Sequence, residues 1–382
     1  MSFTKIYWRS SGIPTWGLLF LTFAAILIFL AAENMQKRDP LVSDNYTTMV
    51  SAAKNMSEAM ELIKTKRAQI EPINPDYDPQ RSGWLGIPGS SVTSVHGARE
   101  SKMTTLNPNW AAVAVKLLAQ AGVEKGDLVA VTVSGSFPAL NLAVYSAVEA
   151  MGAEAIVIAS ASASQWGANV PDLLWVDMER ELRNAGLIKL KPIAASMGGI
   201  EDRGVGLSKE GLSTIRGAID EAGIPFLDPK NYQEAVANRI ALFREHSNGR
   251  EIKAFVNVGG GATIVGPAGI DDLFGEGYIT DAPARAFAVQ TVMGYFLQEG
   301  VPGIQFISIK DLAERYGLPI APPEAVPVGN GDIYTASTYR RWLAAVLALA
   351  LFGLTWLIVR SSRITSVWRK SSHADSGIKP MV

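Results

Sequence analysis

The chain of 382 residues contains no cysteine. This absence excludes disulfide bonds, thiolate nucleophiles and cysteine metal sites, and it is compatible with either side of a membrane. Histidine is nearly as scarce, with only His96, His246 and His373. No HExxH pattern occurs, and the acidic residues Asp172, Asp177 and Glu179 stand at the start of a predicted helix, where they suit the helix dipole and Asp172 suits a cap. We therefore expect no metal site.

The sequence also lacks the marks of a nucleotide-binding protein. The triple glycine at 259–261 has no GxGxxG spacing and no following Lys-Ser or Lys-Thr pair. Such a run more often marks a close approach of helix and sheet. We expect no cofactor, no ATP hydrolysis and no nucleic-acid partner.

Long apolar runs are present at both ends of the chain. Trp16 to Ala32 and Trp342 to Val359 carry no charge, and each is about as long as a bilayer core requires. Leu30 is too large for the small-x-small pattern of a cleavage site before Glu33. The first apolar run is therefore predicted to be a retained anchor and not a cleaved signal peptide. Tryptophans at both ends of the second run fit interface anchoring. The sequence predicts two transmembrane helices.

Charge divides between the ends and the middle of the chain. Residues 1–32 and 340–382 together hold nine Lys or Arg against one Asp, whereas residues 33–339 carry a net charge of minus nine. Basic residues accumulate on the cytoplasmic side of membrane helices. We therefore expect an inner-membrane protein with both termini in the cytoplasm and the large middle domain outside.

The middle of the chain alternates between apolar strands and amphipathic helices. Predicted strands are 128–133, 155–160, 192–196, 224–227, 254–258 and 304–307, and predicted helices are 109–121, 139–151, 172–185, 209–222, 231–247 and 284–298. Strands that are apolar throughout belong to parallel sheets covered by helices on both faces. The prediction is an α/β fold with a doubly wound, mostly parallel sheet, bracketed by the two transmembrane helices.

These patterns divide the chain into seven predicted segments. They are a cytoplasmic tail (1–15), a transmembrane helix (16–32), a stalk helix with a Pro- and Gly-rich connector (33–90), the α/β domain (91–318), a tether (319–341), a transmembrane helix (342–359) and a basic cytoplasmic tail (360–382). A split of the α/β domain into two lobes near residue 223 stays open. The helix within 43–69 has one apolar stripe, which fits either a stalk or, more simply, the first helix of the domain.

Four polar loops follow predicted strands and should meet at one edge of a parallel sheet. Their hydroxyls, amides and charges are suited to binding a carboxylate or phosphate. We expect Ser134, Ser136, Ser164, Asn169, Glu201 and Arg203 to line one crevice. The candidate ligand-binding residues are Ser134, Gly135, Ser136, Ser164, Gln165, Asn169, Glu201, Asp202, Arg203, Gly259, Gly260 and Gly261.

Serine catalysis is an alternative use of the same loops. Ser134 and Ser136 follow a strand and precede a helix, as a hydrolase nucleophile does, but the glycine that a nucleophile elbow needs two residues earlier is missing. His96 is the histidine placed to approach them, and Lys102 offers a serine–lysine arrangement instead. The sequence does not identify the catalytic residues, and Ser134 and Ser136 are the candidates.

Several word-like segments carry a resemblance to a known family. They are DPQRSGWLG (78–86), TTLNPNWAAV (104–113), VSGSFPALN (133–141), SASASQWGANVPDLLWVDMER (160–180), AASMGGIEDRG (194–204) and KAFVNVGGG (253–261). Together they resemble the accessory membrane protein of bacterial poly-gamma-glutamate synthesis and export systems. The likeness spans most of the chain between about Asp78 and Gly261.

The resemblance implies a pathway, with the amide-forming ligase on another subunit, and no catalytic residues. We expect an accessory component of capsule-type poly-gamma-glutamate biosynthesis or export that binds or guides the gamma-glutamyl polymer or assembles the synthase subunits. The alternatives are an extracytoplasmic serine-dependent hydrolase or transferase that trims or releases the polymer, and a purely structural scaffold.

Overall fold

The computed structural model describes residues 15–35, 37–40 and 45–374. The chain falls into two units, one comprising Met1–Pro40 with Thr335–Val382 and the other comprising Leu41–Tyr334. The predicted tail 1–15 and the end of the tail 360–382 lie almost wholly outside the described residues.

The first unit contains two apolar helices, α1 (Thr15–Asn34) and α12 (Arg341–Ala374), which contact each other. Strands β1 (Lys37–Pro40) and β11 (Thr335–Thr338) pair antiparallel beside them. Thr15–Asn34 and Arg341–Ser361 are long and apolar enough to cross a membrane, and large side chains such as Phe352 are exposed on them. The predicted spans 16–32 and 342–359 lie within these helices.

The second unit is built on a mostly parallel seven-stranded sheet. Its strands are β2 (Leu128–Ser134), β3 (Glu154–Ser160), β6 (Ala194–Ser196), β7 (Phe226–Leu227), β8 (Ile252–Val258), β9 (Gly277–Ile279) and β10 (Gly303–Phe306). The order is β7-β6-β3-β2-β8-β10-β9, and every neighbouring pair is parallel except β9 with β10. A separate short hairpin joins β4 (Asn169–Val170) and β5 (Leu173–Leu174). The α/β class with a mostly parallel sheet is confirmed.

Ten α-helices of this unit are described. They are α2 (Tyr46–Ile70), α3 (Arg99–Thr104), α4 (Trp110–Gln120), α5 (Pro138–Met151), α6 (Trp175–Asn184), α7 (Lys209–Glu221), α8 (Tyr232–Ser247), α9 (Ala262–Val265), α10 (Val292–Gln298) and α11 (Ile309–Arg315). Short 3-10 turns occur at Asp271–Leu273, Ala284–Phe287 and Asp332–Tyr334.

Both faces of the sheet are covered by helices. Alternate residues of β2 show this, because Val129 and Val131 belong to a cluster with α2, α4, α5, α6 and α7, whereas Leu128 and Ala130 belong to a second cluster with α8 and α10. Burial on both faces is the reason that the strands read as continuous apolar runs in the sequence.

The helix predicted within 43–69 forms α2 and packs in the core. Met49, Met56 and Ile63 on its apolar stripe are fully buried, and α2 contacts α4, α5 and α6. The connector after it is anchored by Trp84, whose buried indole donates from Nε1 to the Met60 carbonyl at 3.0 Å. The simpler interpretation, a first helix of the domain, therefore describes α2.

The segment predicted as a tether is packed onto the α/β unit as far as Tyr334. The carbonyl of Pro322 accepts a hydrogen bond from Gln80, the amide of Ala321 donates to Thr104, and the Tyr334 hydroxyl donates to Asn109 at 2.7 Å. Proline and glycine exclude regular structure here, but they do not prevent packing.

Two local predictions differ from the structure. The helix predicted over 284–298 is interrupted, because Thr291 caps α10 by accepting a hydrogen bond from the Gly294 amide at 2.9 Å. Helix α6 starts at Trp175, and its first turn is closed by Asp177, which accepts from the Leu174 amide at 3.0 Å. Asp172 therefore lies outside the helix and is not its cap.

Candidate functional site: a serine-lined cleft around Lys102

A cleft of about 460 Å³ opens at the edge of the sheet where the parallel strands end. Loops after β2, β3, β6 and β8 contribute to it, together with the segment 94–102 that leads into α3. Six of the predicted residues line it, namely Ser134, Ser136, Ser164, Asp202, Gly260 and Gly261. Seven serines face the cleft: Ser94, Ser101, Ser134, Ser136, Ser160, Ser162 and Ser164.

Lys102 is the central polar group of this cleft. It lies on α3, only 3% exposed, and its ammonium nitrogen contacts two loops at once. Nζ donates to the main-chain carbonyl of Ser136 and to the hydroxyl of Ser164, the latter at 2.9 Å. Nζ also lies 3.3 Å from the ring centroid of Phe137. These contacts bring α3 against the loops after β2 and β3.

The surroundings of Lys102 favour its neutral form. No ion pair involving Lys102 occurs among the residues that the structure describes. Burial disfavours the charged ammonium and lowers the pKa of Lys102 to about 7. Near neutral pH the side chain can therefore act as a cation or as a base.

Hydrogen bonds fix the loops after β2 and β3 to each other. The Gly135 amide donates to the Ser160 carbonyl at 3.0 Å, and the Ser164 amide donates to the Ser136 hydroxyl at 3.0 Å. A Cβ at Gly135 would lie 2.9 Å from the Ala161 and Ser162 carbonyl oxygens, so only glycine permits this approach. Gly135 positions the loops and does not line the cleft.

A buried ion pair lies beside the cleft. Arg239, on α8, and Asp202 are 1% and 4% exposed, and their side chains approach to 2.6 Å. The same guanidinium donates to the Ser160 and Ser196 hydroxyls at 2.9 and 2.8 Å. Asp202 lines the cleft, but its carboxylate is neutralised by Arg239.

Other predicted residues have structural partners outside the cleft lining. Asn169 is buried, and its side-chain amide bonds the main chain of Ile87 in both directions at 2.8 Å. Glu201 and Arg203 form an exposed ion pair at 3.0 Å. Gln165 forms a hydrogen bond with the His96 side chain. Gly259 has a positive φ of 100° and lies beside Ser134. The expected crevice thus includes the serines but not Asn169, Glu201 or Arg203.

In the described part of the chain, neither His96 nor His246 makes a hydrogen bond to a candidate serine. The Nδ1 atom of His96 contacts the Gln165 side chain at 2.9 Å, and that of His246 contacts the Leu242 carbonyl at 3.0 Å. His373 lies in α12. Among the described residues no group of three or more His, Asp or Glu could hold a metal ion. Glu179, expected to serve the helix dipole, is instead buried and accepts from Tyr145 at 2.5 Å.

Sequence reasoning gave Lys102 only as an alternative to His96 and missed Arg239. Lys102 lies in a stretch where no helix was predicted, so nothing indicated that it would be buried. Arg239 had a detectable signal, since it falls on the same helical stripe as Val236, Ile240 and Phe243. An arginine on an apolar stripe requires a buried partner.

No family model, no curated protein and no solved structure matches this chain. A buried amine among hydroxyls can bind a carboxylate, a phosphate or an amide carbonyl.

Proposed function

We propose that this chain is an accessory membrane component of bacterial poly-gamma-glutamate synthesis or export, and that the Lys102 cleft binds the gamma-glutamyl polymer. The observation that carries the proposal is one buried lysine, surrounded by serine hydroxyls, that has no acidic partner among the described residues. Each unit of such a polymer offers a carboxylate for the lysine and an amide for the hydroxyls. Phe137 and Ile200 in the lining suit its methylene groups.

The charge of the middle of the chain limits how the polymer can bind. A net charge of minus nine over residues 33–339 repels a polyanion at long range. Contact must therefore be local, at a place where acidic side chains are absent or neutralised. The cleft meets this condition, because Arg239 pairs with the one carboxylate in its lining, that of Asp202.

The position of the cleft supports a doubly wound sheet as its scaffold. Strands β3, β6 and β7 extend from one side of β2, and β8 and β10 extend from the other. In doubly wound sheets, the direction in which successive strands are added reverses at such a point, and ligands bind there, outside the carboxyl ends of the strands. The loops after β2 and β8, which follow the two strands at the reversal, both line the cleft.

We further propose an inner-membrane location with two spans, both termini in the cytoplasm and the α/β unit outside. The two long apolar helices and the basic ends of the chain support this. Such a topology would present the cleft to polymer that emerges from the synthase, whose subunits are the partners that the family resemblance implies.

The test is binding of a defined gamma-glutamyl oligomer to the full-length protein in detergent micelles, by calorimetry. Lys102→Met should weaken binding about tenfold to a hundredfold, because a charged hydrogen bond contributes roughly 1.5 to 3 kcal/mol. Lys253→Met is the matched control, since Lys253 lies at the start of β8, at the opposite edge of the sheet, and its side chain is 40% exposed.

An alpha-linked glutamyl oligomer of equal length tests the linkage. It carries the same charge, so equal affinity for both oligomers would contradict a site built for the gamma-linked polymer. Unchanged affinity of Lys102→Met would remove the cleft from the proposal.

A further inference from the structure

We infer that Ser164 and Lys102 form a nucleophile–base pair, which gives the cleft a covalent activity of cleaving or transferring amide bonds. The inference rests on the proposed function only for the identity of the substrate, a gamma-glutamyl amide. The pairing itself comes from the side chains of the cleft.

The contact between the two groups has the geometry that such a pair needs. Ser164 Oγ and Lys102 Nζ lie 2.9 Å apart, and both residues are buried and line the cleft. A neutral lysine has two N–H groups and one lone pair. One N–H can donate to the Ser136 carbonyl, while the lone pair accepts the Ser164 hydroxyl proton. In that state Lys102 is a base for Ser164.

Burial favours loss of the Lys102 proton, and the nearby carboxylates are paired with other cations. Glu100, on the same helix, is paired with Lys310, and Asp202 across the cleft is paired with Arg239. His96, the remaining titratable group of the lining, contacts Gln165. Among the residues that the structure describes, these two carboxylates pair with other cations and not with Lys102, and burial lowers the pKa of Lys102 to about 7.

Ser164 is held more firmly than a surface serine. On its two sides the Ser94 amide donates to the Ala163 carbonyl at 2.8 Å and the Gln165 amide donates to the Val95 carbonyl at 3.0 Å. Its own amide donates to Ser136. A fixed nucleophile loses little entropy on reaching the reactive geometry.

Within the described residues, the hydroxyls of the other candidate serines make no hydrogen bond to a basic side chain. The Ser134 hydroxyl donates to the Val258 carbonyl at 3.3 Å, and Ser136 contacts Lys102 through its main-chain oxygen, not its hydroxyl. The Ser136 amide makes no hydrogen bond to any residue in the described part of the chain. It lies in the loop whose Ser136 hydroxyl accepts from the Ser164 amide, so it is a candidate to stabilise an oxyanion.

The reaction needs only water or an amine as acceptor. Ser164 Oγ attacks the amide carbonyl carbon while Lys102 takes the hydroxyl proton. The C–N bond then breaks, Lys102 returns the proton to the leaving amine, and an acyl ester remains on Ser164. Water or a second amine attacks this ester with Lys102 again accepting a proton, which it returns to Ser164. The products are an acid or a new amide.

The experiment is labelling of the full-length protein in micelles with a fluorophosphonate, followed by peptide mass spectrometry. We expect one labelled residue, Ser164, with a labelling rate that rises with pH through about 7, the pKa of Lys102. Ser164→Ala should abolish labelling, and Lys102→Met should slow it by about 100-fold or more, as loss of a general base does. The exposed Ser213→Ala and Lys253→Met should label as wild type.

A second variant keeps the test decisive if Lys102→Met does not fold. The chain has no cysteine, so Ser164→Cys creates a single thiol whose alkylation rate can be followed against pH. A rate that saturates below the ordinary thiol pKa of about 8.5 supports the pair, because an adjacent ammonium favours the thiolate. An ordinary profile, or fluorophosphonate labelling that is equal with and without Lys102, would overturn it.

The two proposals can fail separately. Gamma-glutamyl oligomer bound by a protein that neither labels nor releases new amine groups would leave only the binding function. Labelling at Ser164 without affinity for that oligomer would keep the pair and refute the polymer assignment.

Discussion

Replacement of Arg239 tests how the loop bearing Asp202 is held beside the cleft. The guanidinium is 1% exposed, donates to Asp202 through Nε at 2.7 Å, and donates to the Ser160 and Ser196 hydroxyls. Arg239→Met keeps most of the apolar volume but leaves Asp202, at 4% exposure, with hydroxyl donors alone. Removing one partner of a buried ion pair lowers the free energy of unfolding by about 3 to 5 kcal/mol.

The assay is urea unfolding of the full-length protein in micelles, followed by tryptophan fluorescence. The double variant Arg239→Met with Asp202→Asn should recover most of the loss, since neither charge is then buried alone. Arg216→Met is the matched control, because the Arg216–Asp220 pair has side chains 47% and 54% exposed and exposed pairs contribute about 0.2 to 1 kcal/mol. A loss from Arg239→Met no larger than that of the control would refute the reasoning.

Two further predictions concern pH and topology. Burial raises the pKa of Glu179 to about 7 from its usual 4.5, so the folded state binds the extra proton and stability is lost as pH rises through that window. Between pH 5 and 8 the free energy of unfolding of the wild type, measured in urea, should fall by about 2 to 3 kcal/mol more than that of Glu179→Gln. The exposed Glu61→Gln is the control and should follow the wild type. Parallel curves for the wild type and Glu179→Gln would contradict the prediction. Reporter fusions at Lys379 should report cytoplasm and fusions near Gly331 the outside, and the reverse pattern would remove the export proposal.

The strand and helix pattern was predictable because the sheet is buried on both faces. The six predicted strands correspond to β2, β3, β6, β7, β8 and β10, with ends shifted by up to two residues. The antiparallel edge strand β9 was missed, since its three residues Gly277–Ile279 are too few to show a period. The division of the helix predicted over 284–298 depends on one cap, at Thr291, which helical periodicity does not reveal.

The sequence predicted where the candidate site lies, but not which loop side chains face it. Loops after parallel strands share an edge, and this rule brings Ser134, Ser136 and Ser164 into one cleft. Whether a loop side chain faces the cleft or holds a neighbouring loop depends on contacts distant in sequence. Asn169 shows the second case, since its partner Ile87 is 82 residues away. Lys102 depends on such contacts too, because its partner Ser164 is 62 residues distant.

The Arg239–Asp202 pair links the stability of the fold to the chemistry of the cleft. An unpaired Asp202 would be a second charge in the lining that contains Lys102. It would favour the lysine ammonium, raise the pKa of Lys102 and remove the base that Ser164 requires. It would also repel the carboxylates of a glutamyl ligand. Arg239→Met should therefore reduce fluorophosphonate labelling of Ser164 in protein that is still folded, and Arg239→Met with Asp202→Asn should restore it. If the labelling of Ser164 in both variants changes only as their stability changes, the Arg239–Asp202 pair acts only on the fold.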